Sequence, residues 1–167
     1  MDSSSRSRRT PQPADVERAP ADHESSVAAA GAAAAVPVRE GFDALYGLEL
    51  IGPGTEEAGI MRGRVRVGPQ LLDEEGRLHG GVPAAIAESL ASYGTVYAIV
   101  ERGSVVSGLS NDTTVTAPVE EGATLHAQAT LQSRAHDLWV WSVKLRDDRG
   151  TVCAFSRVTI AVRPPRP

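Results

Sequence analysis

A carboxylate set in an apolar helix, with a glycine pair at the start of that helix, is the arrangement in this sequence best suited to chemistry. Glu88 follows Gly80 by eight residues in the run His79-Gly80-Gly81-Val82-Pro83-Ala84-Ala85-Ile86-Ala87-Glu88. Ala84, Ala85, Ala87 and Ala91 are strong helix formers. Pro83 is tolerated in a first turn, where its missing N–H has no intrahelical partner. The pattern predicts a helix over 82–100 with Glu88 in its second or third turn. A carboxylate among apolar neighbours must be paired, hydrogen-bonded or functional. Ser92, at i+4, lies within hydrogen-bond reach on the same face. Gly80 and Gly81 bring bare backbone N–H groups to the positive end of the helix dipole, the makings of an oxyanion hole. Two readings fit these residues: a catalytic carboxylate with its oxyanion hole, or glycines that only turn the chain ahead of a solvated Glu88.

The elements that must position these groups are legible as alternations. A short helix is expected over 42–48, then strands over 48–51 and 60–67, where Arg62, Arg64 and Arg66 alternate with Gly63, Val65 and Val67. The arginine row is read as a solvated strand face. After the long helix come strands over 105–116, 123–131, 138–145 and 152–162. One face of these strands carries Leu125, Ala127, Ala129 and Leu131, then Trp139, Trp141, Val143 and Leu145, then Val152, Ala154, Val158, Ile160 and Val162. Turns are expected at 118–122 and 147–150. Ile86, Leu90 and Tyr93, continued by Val96 and Tyr97, form the expected apolar stripe of the helix. The fold class is α+β, an antiparallel sheet wrapped around one long central helix.

Composition narrows the function. The chain has 167 residues, enough for one domain of ordinary size, and 41% are hydrophobic. Lys and Arg number 17 against 21 Asp and Glu, a net charge of −4. That argues against a nucleic-acid partner, whose phosphates require a basic face. The single cysteine, Cys153, excludes an internal disulfide or a Cys-based zinc site and fits a reducing cytoplasm. His23, His79, His126 and His136 lack metal-ligand spacing, so no metal site is expected. No apolar run approaches the roughly 18–20 residues of a membrane span. From 1 to 40 there is no Leu, Ile, Phe, Tyr or Trp, and such a segment is read as a disordered tail. Arg8-Arg9 is not read as an export signal, because Thr10-Pro11-Gln12-Pro13 follows it. The remainder, 41–167, reads as one domain.

The run Gly76-Arg77-Leu78-His79-Gly80-Gly81, continuing through Ala87-Glu88-Ser89-Leu90-Ala91-Ser92, resembles the hotdog-fold acyl-CoA thioesterases (PaaI-like). It is most similar to the 4-hydroxybenzoyl-CoA thioesterases that carry a catalytic Glu on the central helix. The similarity continues through Gly108-Leu109-Ser110-Asn111, Ala117-Pro118-Val119-Glu120-Glu121-Gly122 and the ending Ile160-Ala161-Val162-Arg163-Pro164, and covers about 41–167. The Ala87–Ser92 stretch is equally similar to 1,4-dihydroxy-2-naphthoyl-CoA hydrolases. The resemblance implies a hotdog fold and thioester hydrolysis. Glu88 would serve as nucleophile or general base, the Gly80 N–H would polarise the carbonyl, Ser92 would orient Glu88 or water, and His79 would brace the loop.

It also implies no cofactor beyond the CoA of the substrate, and a homodimer pairing into a homotetramer. Six residues before the histidine, where the family carries Gln or Asn, this chain has Asp73, which donates only if protonated. Where the family has an arginine that helps bind the CoA nucleotide, this chain has Ala117. CoA binding is then expected to rest on Arg166, Arg163 and Arg134, with Gly81 beside the thioester. A second class of function stays open on these departures: a non-catalytic hotdog module that binds acyl-CoA or only assembles.

Overall fold

The computed structural model describes residues 35–52, 59–99 and 103–164. Its elements run β1 (Val36–Pro37), α1 (Phe42–Leu45), β2 (Glu49–Gly52), β3 (Ile60–Arg66), a 3₁₀ turn (Pro69–Leu71), α2 (Gly81–Ala98), β4 (Val105–Val115), β5 (Thr124–Ala135), β6 (Leu138–Arg146) and β7 (Val152–Arg163). The seven strands form one antiparallel sheet in the order β1-β2-β3-β5-β6-β7-β4. The expected tail lies outside the described residues up to 34. Its last residues do not: Val36 and Pro37 pair with Leu50 and Glu49, so the sheet begins ahead of residue 41. The short helix is one turn, ending at Leu45 rather than 48.

Alternation forms the sheet as expected. Met61, Val65 and Val67, Leu125, Ala127 and Ala129, Trp139, Trp141, Val143 and Leu145, and Ala154, Val158 and Ile160 are all buried beneath α2. The Val, Leu, Ile and Met side chains among them contribute about 1.5–3 kcal/mol each when fully buried. The helix keeps Ile86 and Leu90 of the expected stripe inward, with Tyr93 half-buried, but not its continuation. Its buried face is Pro83, Ile86, Ala87, Leu90, Ala91, Gly94 and Thr95, while Val96 and Tyr97 are exposed. The cause is close packing. A Cβ on Gly94 would stand 2.6 Å from Cη2 of Trp141, so only glycine fits where the helix crosses that indole. The Trp141 Nε1–H donates to Thr95 Oγ1 at 2.9 Å, and Thr95 in turn donates to the Ala91 carbonyl at 2.8 Å. Both polar atoms are thereby satisfied inside the core.

Two irregularities decide which side chains reach the helix. Register shifts lie between Gly108 and Ser110 in β4 and between Leu131 and Ser133 in β5. Each inserts one residue, so the alternation changes phase at that point. Gly108, opposite Ile160, and Asn111, opposite Val158, therefore both face α2 although they are three residues apart. No helix among the described residues is long and apolar enough to cross a membrane.

Candidate active site

Glu88 sits half-buried on α2, facing β4. A Cβ on Gly108 would collide with Glu88 Oε1 and come within 2.9 Å of its Cδ, so the carboxylate lies directly against the bare Cα of that glycine. Asn111 holds the other oxygen. Its Nδ2 donates to Glu88 Oε2 at 3.3 Å and to the Ala84 carbonyl at 2.9 Å. Asn111 Oδ1 accepts from Thr113 Oγ1 at 2.7 Å, and Thr113 Oγ1 lies 2.7 Å from Ser156 Oγ. The expected hydrogen bond from Ser92 to Glu88 is not made; Asn111 takes that place.

The helix start separates its two glycines. The Gly81 N–H donates to His79 Nδ1 at 3.0 Å, which in a neutral ring leaves the proton on Nε2. Gly81 therefore does not offer the bare donor expected of it. The Gly80 N–H has no acceptor among the described residues, and Gly80 is exposed at the N-cap. His79 is fixed in turn by its own N–H on the Leu71 carbonyl at 2.9 Å and by its carbonyl, which accepts from Val82 at 3.0 Å. Beside it opens a cavity of about 570 Å³ lined by Phe42, Leu45, Tyr46, Gln70, Leu71, Leu72, His79, Gly81, Val82 and Ala85. Gln70 is the one primary amide among the described residues of this wall.

Asp73 is engaged in its own turn. Its Oδ1 accepts the N–H groups of Glu75 at 2.9 Å and Arg77 at 3.0 Å, and Oδ2 accepts from the Arg77 guanidinium at 3.3 Å. The Arg77 amide first, then the Glu75 amide and the Arg77 charge, hold its carboxyl below the usual carboxylate range. It is an ionised acceptor that closes the turn, and has no proton to give a carbonyl oxygen.

Of the expected CoA-binding arginines, Arg166 lies outside the described residues. Arg134 is exposed, with its guanidinium 4.4 Å above the Trp139 ring, a cation–π contact. Trp139 pairs with Ile160, and Ile160 with Gly108, so Arg134 lies in the same row of the sheet as the glycine under Glu88. Arg163 stands opposite Val105, three positions along β4 from Gly108, or about 10 Å. As α2 runs from Ala84 to Glu88 its contacts on β4 step back from Asn111 to Gly108. Arg163 is therefore on the side of Glu88 away from its own Gly80. Arg134 is three strands from β4 in that row, about 14 Å away, and Arg163, next to the inward Val162, points to the opposite face of the sheet, so neither stands at the Glu88 carboxylate.

A second polar cluster was not legible in the sequence. The hydroxyls of Tyr46 and Ser89 both donate to Asp43 Oδ1 at 2.7 Å and lie 2.8 Å from each other. Burial pushes the Tyr46 hydroxyl well above the ordinary tyrosine range, and burial, then the Asp43 charge, raises Tyr93 as well. The cluster pins α1 to α2 and so fixes one wall of the cavity. Among the described residues no group of three or more His, Cys, Asp or Glu is placed to hold a metal ion.

A seven-stranded antiparallel sheet closed over one long helix, with a carboxylate on that helix and glycines at its start, is the hotdog architecture. The comparisons agree. The solved structure of the Mycobacterium tuberculosis protein Rv1847, which bears an esterase name, superposes with a TM-score of 0.67 at 29% identity, covering 75% of this chain and 98% of that one. In sequence the same protein is 32% identical over 129 residues, 75% of this chain and 89% of its own length. A Listeria monocytogenes protein named 1,4-dihydroxy-2-naphthoyl-CoA hydrolase is 30% identical over 127 residues, 75% of this chain and 98% of that protein. A Deinococcus radiodurans relative, also with an esterase name, is 36% identical over 87 residues; that match spans only about half of either protein, 52% of this chain and 54% of the relative. No family model matches the chain. The chain belongs to the hotdog-fold esterase and thioesterase family.

Proposed function

We propose that this chain hydrolyses an acyl-CoA thioester, with Glu88 as the catalytic carboxylate and the Gly80 N–H as the oxyanion donor. The observation that carries the reading is the Glu88 carboxylate, half-buried on the family's central helix, with one oxygen held by Asn111 and the other seated against Gly108 of β4. As general base it takes a proton from water, whose oxygen adds to the thioester carbonyl. The C–S bond then breaks, and the CoA thiolate leaves and takes up the proton. As nucleophile it would form an acyl anhydride that water opens to the same products. The chemistry uses water, Glu88 and the thioester alone.

The acyl group fits the cavity walled by Phe42, Leu45, Tyr46, Leu71, Leu72 and Val82, whose apolar faces suit an aryl group such as 4-hydroxybenzoyl or dihydroxynaphthoyl. His79 braces the turn, Ser92 is left to orient water, and Arg134, Arg163 and Arg166 serve the CoA phosphates. Asp73 keeps the turn and takes no part in the chemistry.

Two copies are needed for one site. Gly80 and Glu88 are eight residues apart on α2, about 12 Å along the axis. A glutamate side chain directed sideways cannot span that distance to a carbonyl held about 3 Å from the Gly80 N–H. Two antiparallel copies of α2 across a two-fold axis bring Gly80 of one chain to Glu88 of the other. The sheet supplies the seam: among the described residues β4 is an open edge, paired only with β7, and its Val105, Leu109 and Val115 are exposed. An unpaired edge of 11 residues calls for a partner strand. Such dimers can pair again into a tetramer.

The deciding experiment is an acyl-CoA panel, aryl and alkyl, read by release of free thiol from the wild-type chain and from Glu88→Gln. Turnover by the wild-type chain that falls about a hundredfold or more in the variant is expected. Acyl-CoA binding without thiol release would instead make the chain a binding module.

A further inference from the structure

The hydrogen-bond chain behind Glu88 has a fixed direction. A threonine hydroxyl has one proton, and Thr113 uses it on Asn111 Oδ1. The proton between Thr113 and Ser156 must then come from Ser156, whose side chain is buried. The order is Ser156 to Thr113 to Asn111 to Glu88. With Oδ1 engaged by the Thr113 proton, the Asn111 amide turns both N–H groups toward α2. One goes to the Ala84 carbonyl and the other to Glu88 Oε2. A flipped amide would set its oxygen against a carbonyl and a carboxylate, so the two acceptors on α2 exclude the flip and leave Oδ1 to accept from Thr113.

We infer that Thr113 and Asn111 are positioning residues that hold the Glu88 carboxylate at one oxygen in a single orientation, while Gly108 makes room for the other. This rests on the thioesterase reading of Glu88. The two contacts come from opposite sides of the β4 irregularity, whose extra residue brings Gly108 and Asn111 onto one face. Asn111 is exposed in the single chain, so water competes for its N–H until the β4 edge is covered. A partner strand along that edge therefore completes the clamp as well as the sheet.

The test compares kcat and KM for wild type, Glu88→Gln, Asn111→Ala, Thr113→Val and Thr113→Ser, with Tm measured for each to establish folding. Asn111→Ala is expected to lower kcat about ten- to hundredfold, the scale of one hydrogen bond to a charged group, with KM little changed. Thr113→Val keeps the shape but leaves Asn111 Oδ1 without its donor and the amide less firmly held, and is expected to lower kcat about three- to tenfold. Thr113→Ser restores the hydroxyl and most of the rate. The clamp is overturned if Asn111→Ala and Thr113→Val keep wild-type kcat while Glu88→Gln is inactive. It is also overturned if their losses appear in KM alone, or if Thr113→Ser is as slow as Thr113→Val. A fully active Glu88→Gln would overturn the thioesterase assignment of Glu88 itself, a distinguishable result.

Discussion

Mixing two inactive variants tests whether the site is shared between chains, and the structure supplies a clean pair. Gly80 has φ −60° and ψ −20°, close to the value of about −65° imposed by a proline ring. Its N–H has no acceptor among the described residues. Gly80→Pro therefore deletes the donor with little backbone strain at that residue. Glu88→Gln keeps the shape that rests on Gly108 and removes the base. In a dimer with cross-chain sites, each homodimer has two damaged sites. A heterodimer has one site in which both substitutions meet, damaged twice, and one that pairs an intact Glu88 with an intact Gly80. Random reassociation of equal amounts makes about half the dimers mixed, each with one good site of two, so the mixture should recover about a quarter of wild-type activity per chain. The assay is thiol release after co-refolding, with heterodimers isolated through two affinity tags. A site built within one chain predicts no recovery at all. An inactive mixture, with heterodimer content verified and both variants folded, would refute the 12 Å argument, which rests on a rise of about 1.5 Å per residue.

Thr95→Val should leave the buried Trp141 Nε1–H without an acceptor and lower stability by about 1–3 kcal/mol, read as a fall in Tm of about 3–9 °C; an unchanged Tm would mean the indole finds another partner. Asp73 has its pKa depressed by the turn amides and Arg77, so its contribution to stability is present above the ordinary carboxylate pKa and is lost as pH falls below about 4. Tm against pH should therefore drop less steeply in that range for Asp73→Asn than for wild type, and thiol release at neutral pH should be retained. Deletion of 1–34 keeps Val36 and Pro37 on the sheet and should change Tm by no more than about 2 °C; a large loss would show that those residues dock on the domain.

The elements were legible because their period was. Trp139, Trp141, Val143 and Leu145 alternate without interruption, and all four are buried. The helix was legible in extent, and Ile86 and Leu90 marked its inward face, but its last turns were misassigned. Its inward face is made largely of small residues, and the larger Val96 and Tyr97 were counted ahead of Gly94 and Thr95. Proximity decided the matter, since Trp141 leaves no room for a side chain at 94. Glu88 and Gly80 stood out as polar or bare groups on an apolar helix. Asn111 did not, because the inserted residue in β4 shifts the phase of the alternation just ahead of it, and counting by twos then assigns it to the wrong face. Ser92 was favoured instead because i,i+4 spacing is visible in one helix, whereas a contact 23 residues away is not. Asp43, Tyr46 and Ser89 were hidden for the same reason, being joined across more than 40 residues.

The strand order has a consequence for synthesis. β4 is made immediately after α2 yet lies at the far edge, hydrogen-bonded among the described residues only to β7, the last strand of the sheet in chain order. Ser156, which begins the hydrogen-bond chain to Glu88, is translated 68 residues after it (156 − 88), about 3–14 s later at ordinary elongation rates. During that interval α2 has left the ribosome with its sheet unfinished, and β4 has no neighbour. A stop codon ahead of β7 removes the one strand among the described residues that pairs with β4, and so loosens Gly108 and Asn111 from the carboxylate together. The nascent chain therefore cannot assemble its carboxylate clamp until its final strand is in place, and a fragment ending before β7 would expose a long, sticky edge with no activity to offer in exchange.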